Sequence, residues 1–262
     1  MPNAKDATVE DVGKPKILLF GPSGSGKTSQ IITLPGKTFA YLFDPSALST
    51  LKGHDIDYEE FTPTKMNRQA VSLSKGKSDP KTTVGAGDVY NLWAKDADDK
   101  EKAGFFDLYD NIAFDSFTTF SDIVMDRILK LNGREGQFPQ QDDWGGQMQT
   151  ITNVVRSFIG YNKTLLFIAH DEFKQDEATS RMQNVILLTG RLRIKLPLLF
   201  SEMLHTECVS TAGEIKYQVQ TRPDRMNPAI RTSFKGLDMF HDVTIKDWKN
   251  PKGFGLGKLL KG

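Results

Sequence analysis

The sequence predicts an α/β fold with a mostly parallel central sheet, flanking helices and strands added at an edge. Three observations predict it. Several short apolar runs end in a polar residue, as strands buried on both faces do. A glycine-rich loop follows the first run and leads into a helical segment. Helical spacing then separates the later runs, and a β-loop-α-β order implies right-handed crossovers.

Taken in order, a polar leader (1–14) precedes Lys16-Ile17-Leu18-Leu19-Phe20, the first buried strand. Thr28 to Thr33 reads as a short helix ended by Leu34-Pro35-Gly36, and Thr38 to Phe43 is a second strand ending at Asp44. Thr62 to Gly85 is rich in Lys, Ser, Thr and Gly without periodicity, and reads as a mobile insertion. Val89 to Tyr109 is helical in pattern, Asn111 to Asp115 is the third core strand, and Phe117 to Leu131 continues as a helix. A polar stretch from Asn132 to Gln141 interrupts before Met148 to Ile159 resumes helical spacing. Thr164 to Ala169 is the fourth core strand, closed by His170. Runs at 184–188, 203–209 and 215–219 read as shorter strands at a sheet edge. The implied organisation is a leader (1–14), one α/β domain (15–244) and a basic tail (245–262) with Lys246, Lys249, Lys252, Lys258 and Lys261 against Asp247.

At 262 residues the chain suits one large domain rather than two. Its 38% hydrophobic and 26% charged content excludes a disordered or fibrous protein. Lys+Arg 34 against Asp+Glu 33 leaves a net charge of +1, so any surface for nucleic acid must be local. No stretch approaches the ~20 apolar residues that span a bilayer and no signal segment is evident, so a cytoplasmic protein without membrane contact is expected. The single cysteine, Cys208, is expected as a buried thiol in a half-apolar strand.

The strongest motif is Gly21-Pro22-Ser23-Gly24-Ser25-Gly26-Lys27-Thr28, a phosphate-binding loop. Its glycines let successive backbone N–H groups turn inward at the start of a helix. Lys27 supplies charge to the β- and γ-phosphates of a bound nucleotide, and the Thr28 hydroxyl is placed to ligate Mg²⁺. A neighbouring carboxylate is then needed at a strand end, and Asp115 fits that metal-binding role, with a helix N-cap as its alternative. Ser116 stands where many ring ATPases carry a water-activating Glu, so the residue that orients water must come from elsewhere. Asp44 and His170, both at strand ends, are the candidates. Their structural alternatives are a turn starter for Asp44 and a polar strand cap for His170. Asn162-Lys163-Thr164-Leu165 lacks the Asp of a guanine-reading motif, which favours ATP over GTP.

Together, the phosphate loop, the Asp44-Pro45-Ser46-Ala47-Leu48 corner, IAFDS at 112–116 and LLFIAHDEF at 165–173 resemble phage-encoded RecA-core ATPases, the small single-strand-annealing recombinases. The resemblance extends to 189–192 and 196–203. It implies a RecA-like P-loop fold, ATP with Mg²⁺, a homo-oligomeric ring or filament, single-stranded DNA as partner and a single-strand DNA-binding protein as associate. That family often has Glu-Pro-Gly where this chain has Asp44-Pro45-Ser46, which implies slow hydrolysis. Two loops are placed for DNA: 132–146, with Arg134, Phe138 and Trp144, and 171–184, with Lys174 and Arg181. The basic tail is a further attractor for phosphates. Two other readings stay open, a small-molecule P-loop kinase using Arg191 and Arg193, and a non-catalytic nucleotide-dependent assembly protein.

Overall fold

Lys16–Gly21 (β1) is apolar at every position from Ile17 to Phe20, and a strand of that kind needs cover on both faces. The computed structural model, which describes residues 13–62, 86–175, 180–211 and 213–260, supplies it. β1 lies inside a nine-stranded sheet. Around it run Thr38–Leu42 (β2), Asp57–Glu60 (β3), Asn111–Asp115 (β4), Thr164–Gln175 (β5), Met182–Ile186 (β6), Glu202–Thr211 (β7), Glu214–Gln220 (β8) and Phe240–Asp242 (β9). The order is β3-β2-β4-β5-β1-β7-β8-β9, with β6 paired to β5 alone. Pairings from β3 across to β7 are parallel, while β7–β8, β8–β9 and β5–β6 are antiparallel. This is the mostly parallel central sheet with flanking helices and added edge strands that the sequence predicts.

One face carries Ala86–Lys102 (α2), Phe117–Leu131 (α3), Gln141–Ile159 (α4) and the short Leu192–Lys195 helix (α5), packed on an aromatic core. Phe114 and Phe167 stack there with ring centroids 4.4 Å apart, which locks β4 to β5 just below Asp115 and His170. The other face holds the Thr28–Thr33 helix, a 3-10 helix, together with Ala47–Leu51 (α1) and Gly255–Leu259 (α6).

Several expectations change. β5 passes through His170 instead of stopping there, because Asp171 to Gln175 find antiparallel partners in β6. The expected 171–184 loop is therefore largely a two-stranded ribbon. β7 is no edge strand, since it pairs in parallel with β1 from Ile17 to Phe20. Cys208 is exposed rather than buried: beyond His205, β7 has outrun β1 and pairs only with β8. Helix α4 begins at Gln141, so Trp144 sits on a helix rather than in a loop. In the tail, Leu256 and Leu259 are buried against the 3-10 helix, so the described part of this segment is packed structure. The insertion read beyond Thr62 and most of the leader lie outside the described residues. No helix among the described residues is long and apolar enough to cross a membrane.

Candidate nucleotide site

The parallel register brings the site together at one edge of the sheet. Gly21, where β1 ends, is level with His170 on β5, while Asp115 at the end of β4 is level with Leu42 on β2 and Ile168 on β5. The edge is the C-terminal one, where open α/β sheets leave a crevice for ligands. A cavity of about 260 Å³ opens there, lined by Ser23, Gly24, Gly26, Lys27, Thr28, Asp44, Asp115 and His170.

The loop's shape is fixed from outside as well as by its glycines. Gly26 has φ +80°, and a Cβ at that position would lie 2.9 Å from the Tyr217 ring of β8. Only glycine fits there without moving the ring. The Ser25 hydroxyl donates its proton to the Pro22 carbonyl at 2.8 Å and accepts from Thr206 Oγ1 on β7 at 2.6 Å. Neither Thr206 nor Tyr217 carries a local signal in the sequence, because both reach the loop from strands nearly two hundred residues away.

Lys27 is buried and folded over its own loop, its ammonium donating to the Gly21 and Pro22 carbonyls at 2.8 and 2.7 Å. Desolvation lowers its pKa, while the negative charges of Asp171, Asp115 and Asp44 oppose that shift. Asp115 is 2% exposed, and burial pushes its carboxyl up to about 6, helped by Asp44 and resisted by the Thr28 hydroxyl and Lys27. Its Oδ2 has no hydrogen-bond partner among the described residues. A buried acceptor left open beside a hydroxyl and facing the phosphate loop fits a hard cation, so the Thr28 and Asp115 pair fits Mg²⁺. The N-cap alternative for Asp115 goes to its neighbour instead: Ser116 accepts the Thr119 N–H at 3.3 Å.

Asp44 is held by the α3 start. Ser116 Oγ donates to Asp44 Oδ1 at 3.0 Å, the Thr119 hydroxyl donates to the same oxygen, and His170 Nε2 lies 3.5 Å from Oδ2. Burial alone would raise this carboxyl, but the hydrogen bonds from His170, Thr119 and Ser116 outweigh it and hold Asp44 below its ordinary value. Asp44 is thus an anchored carboxylate in the lining of the cavity that also holds Lys27. The serine that stands where many ring ATPases carry a Glu is one of the residues that fix it.

The residues read as DNA contacts scatter more widely. Arg134 forms an ion pair with Asp143, a wholly buried side chain in the first turn of α4, so its charge is already matched. Trp144 is 41% exposed and Phe138 64% exposed. Lys174 and Arg181 are exposed on either side of the β5–β6 ribbon. Of the kinase candidates, Arg193 pairs with Glu172 at 3.4 Å, while Arg191 is exposed.

A glycine loop with a buried lysine, a hydroxyl beside a buried carboxylate, and a parallel sheet in this order define a P-loop NTPase. Residues 13–230 match the AAA domain family, and the chain belongs to it. No curated protein matches the chain. Two solved structures are similar at 11% identity. One is the flagellar accessory protein FlaH from Methanocaldococcus jannaschii, with 89% of this chain and 86% of that one covered at a TM-score of 0.40. The other is a KaiC-like protein from Pyrococcus horikoshii OT3, with 93% and 89% covered at a TM-score of 0.47.

Proposed function

We propose that the protein is an ATPase that binds ATP with Mg²⁺ at the Gly21–Thr28 loop and works on single-stranded DNA, in annealing or strand pairing, as a homo-oligomer. The observation that carries the first half is the convergence of Lys27, Thr28, Asp115, Asp44 and His170 on one cavity. In this reading the loop amides and Lys27 take the phosphates, and Lys27 exchanges its two loop carbonyls for phosphate oxygens. Thr28 and Asp115 would hold Mg²⁺, which when bound neutralises phosphate charge. Asp44, ionised and anchored by Ser116 and Thr119, accepts a hydrogen bond from water and orients it toward the phosphate, with His170 beside it as a donor.

The DNA half is supported by the exposed rings of Trp144 and Phe173 near the sheet edge that holds the nucleotide cavity, together with the recombinase-like motifs. Exposed aromatics suit base stacking, which tolerates sequence because every base has a π-face. A gel shift on labelled single-stranded DNA, with and without ATP and Mg²⁺, tests it. Stronger binding with ATP is the expected result, and no binding at low salt under either condition would overturn the DNA half while leaving nucleotide binding to be judged by direct titration.

A further inference from the structure

A second and larger cavity, about 530 Å³, lies beside the nucleotide site. Its volume is that of an ordinary ligand pocket. Trp144 of α4 forms one wall, Leu187 and Leu188 the apolar floor, and Asp122, Glu172 and Arg193 the polar rim. Each group narrows what fits. The two carboxylates repel a phosphate. Arg193, paired with Glu172 at 3.4 Å, supplies a fork of N–H donors that a simple cation would leave unused. An indole face with apolar flooring wants a flat partner, and a rim that offers both acceptors and a donor wants a neutral edge carrying donors and acceptors together. A nucleobase meets all of these, and guanine meets them best: its ring N–H and amino group suit a carboxylate, while its O6 and N7 suit an arginine.

We propose that this cavity, built by Trp144, Asp122, Glu172 and Arg193, receives one unstacked base of the single strand, with guanine preferred. The proposal rests on the DNA reading above and adds a site and a preference to it. The phosphates stay outside the acidic rim, and the base enters edge first with its face on Trp144.

The linings of the two cavities are joined through the His170 backbone. The His170 backbone N–H donates to Thr118 Oγ1 at 2.9 Å, and its carbonyl accepts the Leu187 N–H at 2.8 Å. Thr118 and Leu187 both line the base cavity, while the His170 side chain lines the nucleotide cavity beside Asp44. A base that shifts either wall therefore moves the backbone carrying the His170 imidazole, and linkage requires ATP and the base to affect each other's affinity by the same factor.

The test is fluorescence anisotropy with labelled thymine oligonucleotides, plain or with regularly interspersed guanine or adenine, in the presence of ATP and Mg²⁺. The full-length protein should prefer the guanine strand by about tenfold, the scale of a good bidentate base contact. Asp122→Asn combined with Glu172→Gln should bring the guanine strand to the same affinity as the plain thymine strand measured with that variant. Trp144→Ala should weaken the guanine strand by about tenfold or more, with circular dichroism confirming the fold of each variant. Equal affinity for all three strands in the unaltered protein, or a guanine preference that survives the double substitution, would overturn the base pocket while leaving the DNA reading intact. Failure to bind any strand would overturn both.

Discussion

Replacing Gly257 with alanine should destabilise the protein and loosen its phosphate loop from 27 residues beyond the family's matched region, which ends at residue 230. A Cβ at Gly257 would lie 1.7 Å from the Thr33 carbonyl oxygen and 2.7 Å from its carbon, both backbone atoms of the 3-10 helix. No rotamer change relieves that overlap, so α6 must lift. Lifting exposes Leu256 and Leu259, now 1% and 6% exposed, and each fully buried leucine contributes about 1.5–3 kcal/mol. It also breaks the Leu256 N–H bond to Gln30 Oε1 at 2.9 Å and the Gly257 N–H bond to Thr33 Oγ1 at 3.2 Å. Partial lifting should cost about 2–5 kcal/mol, a large fraction of a typical 5–15 kcal/mol stability. The nucleotide site should feel it through Gln30, whose amide also donates to the Gly26 carbonyl at 3.4 Å. Urea denaturation gives the stability, and titration with a fluorescent ATP analogue gives the affinity. Gly253→Ala is the control, since nothing lies within 4 Å of a Cβ there. A Gly257→Ala protein within about 0.5 kcal/mol of that control, with equal nucleotide affinity, would refute the clamp.

Lys27→Ala should abolish nucleotide binding, read by the same titration, while stability stays within about 1 kcal/mol, because the lost loop hydrogen bonds are offset by removal of a desolvated charge. Asp115→Asn should weaken nucleotide binding more with Mg²⁺ than without it, and it should raise stability by up to about 3 kcal/mol at neutral pH, since the buried carboxylate's pKa stands raised. The sign follows from the raised value: the penalty of ionising Asp115 is full above about 6, fades as pH falls toward the ordinary 3.8 and is absent below it, so the two proteins' melting curves should converge on acidification. Ser116→Ala should cost about 1 kcal/mol through loss of the α3 cap and should slow ATP turnover more than it weakens ATP binding, because Asp44 loses a donor that aims it. Equal effects on turnover and binding would return Ser116 to capping alone.

What the sequence discloses about the site is what lies contiguous in it. The Gly21–Thr28 loop, the β1 run before it and Asp115 at the end of β4 are each written in a few adjacent residues, and all fall where the spacing places them. Thr206, Tyr217 and Gln30 act on the same loop and are silent in the sequence, because nothing local distinguishes a threonine on β7 that bonds Ser25 from any other strand threonine. The polar string His170-Asp171-Glu172 reads as a strand end, since a buried strand cannot carry three such residues. In the fold each has its own partner: His170 lies by Asp44, Asp171 accepts from His205 Nε2 at 2.9 Å, and Glu172 pairs with Arg193.

The C-terminal segment shows the same limit from the opposite direction. Its lysines suggest a solvated basic tail, but the residues that decide its fate are the small ones between them. Gly255 and Gly257 let a helix backbone approach another to a distance that any side chain would forbid, which brings Leu256 and Leu259 into the core and leaves Lys252 donating to the Gly36 carbonyl at 2.8 Å. Truncating this segment to remove its charge would therefore also unseat the helix behind the phosphate loop. Charge and clamp have to be separated by substitution: Lys246→Gln with Lys249→Gln tests an electrostatic role on exposed positions, where a loss of DNA affinity that flattens with rising salt is expected. The same loss from Gly257→Ala, unchanged by salt, would instead report the loop.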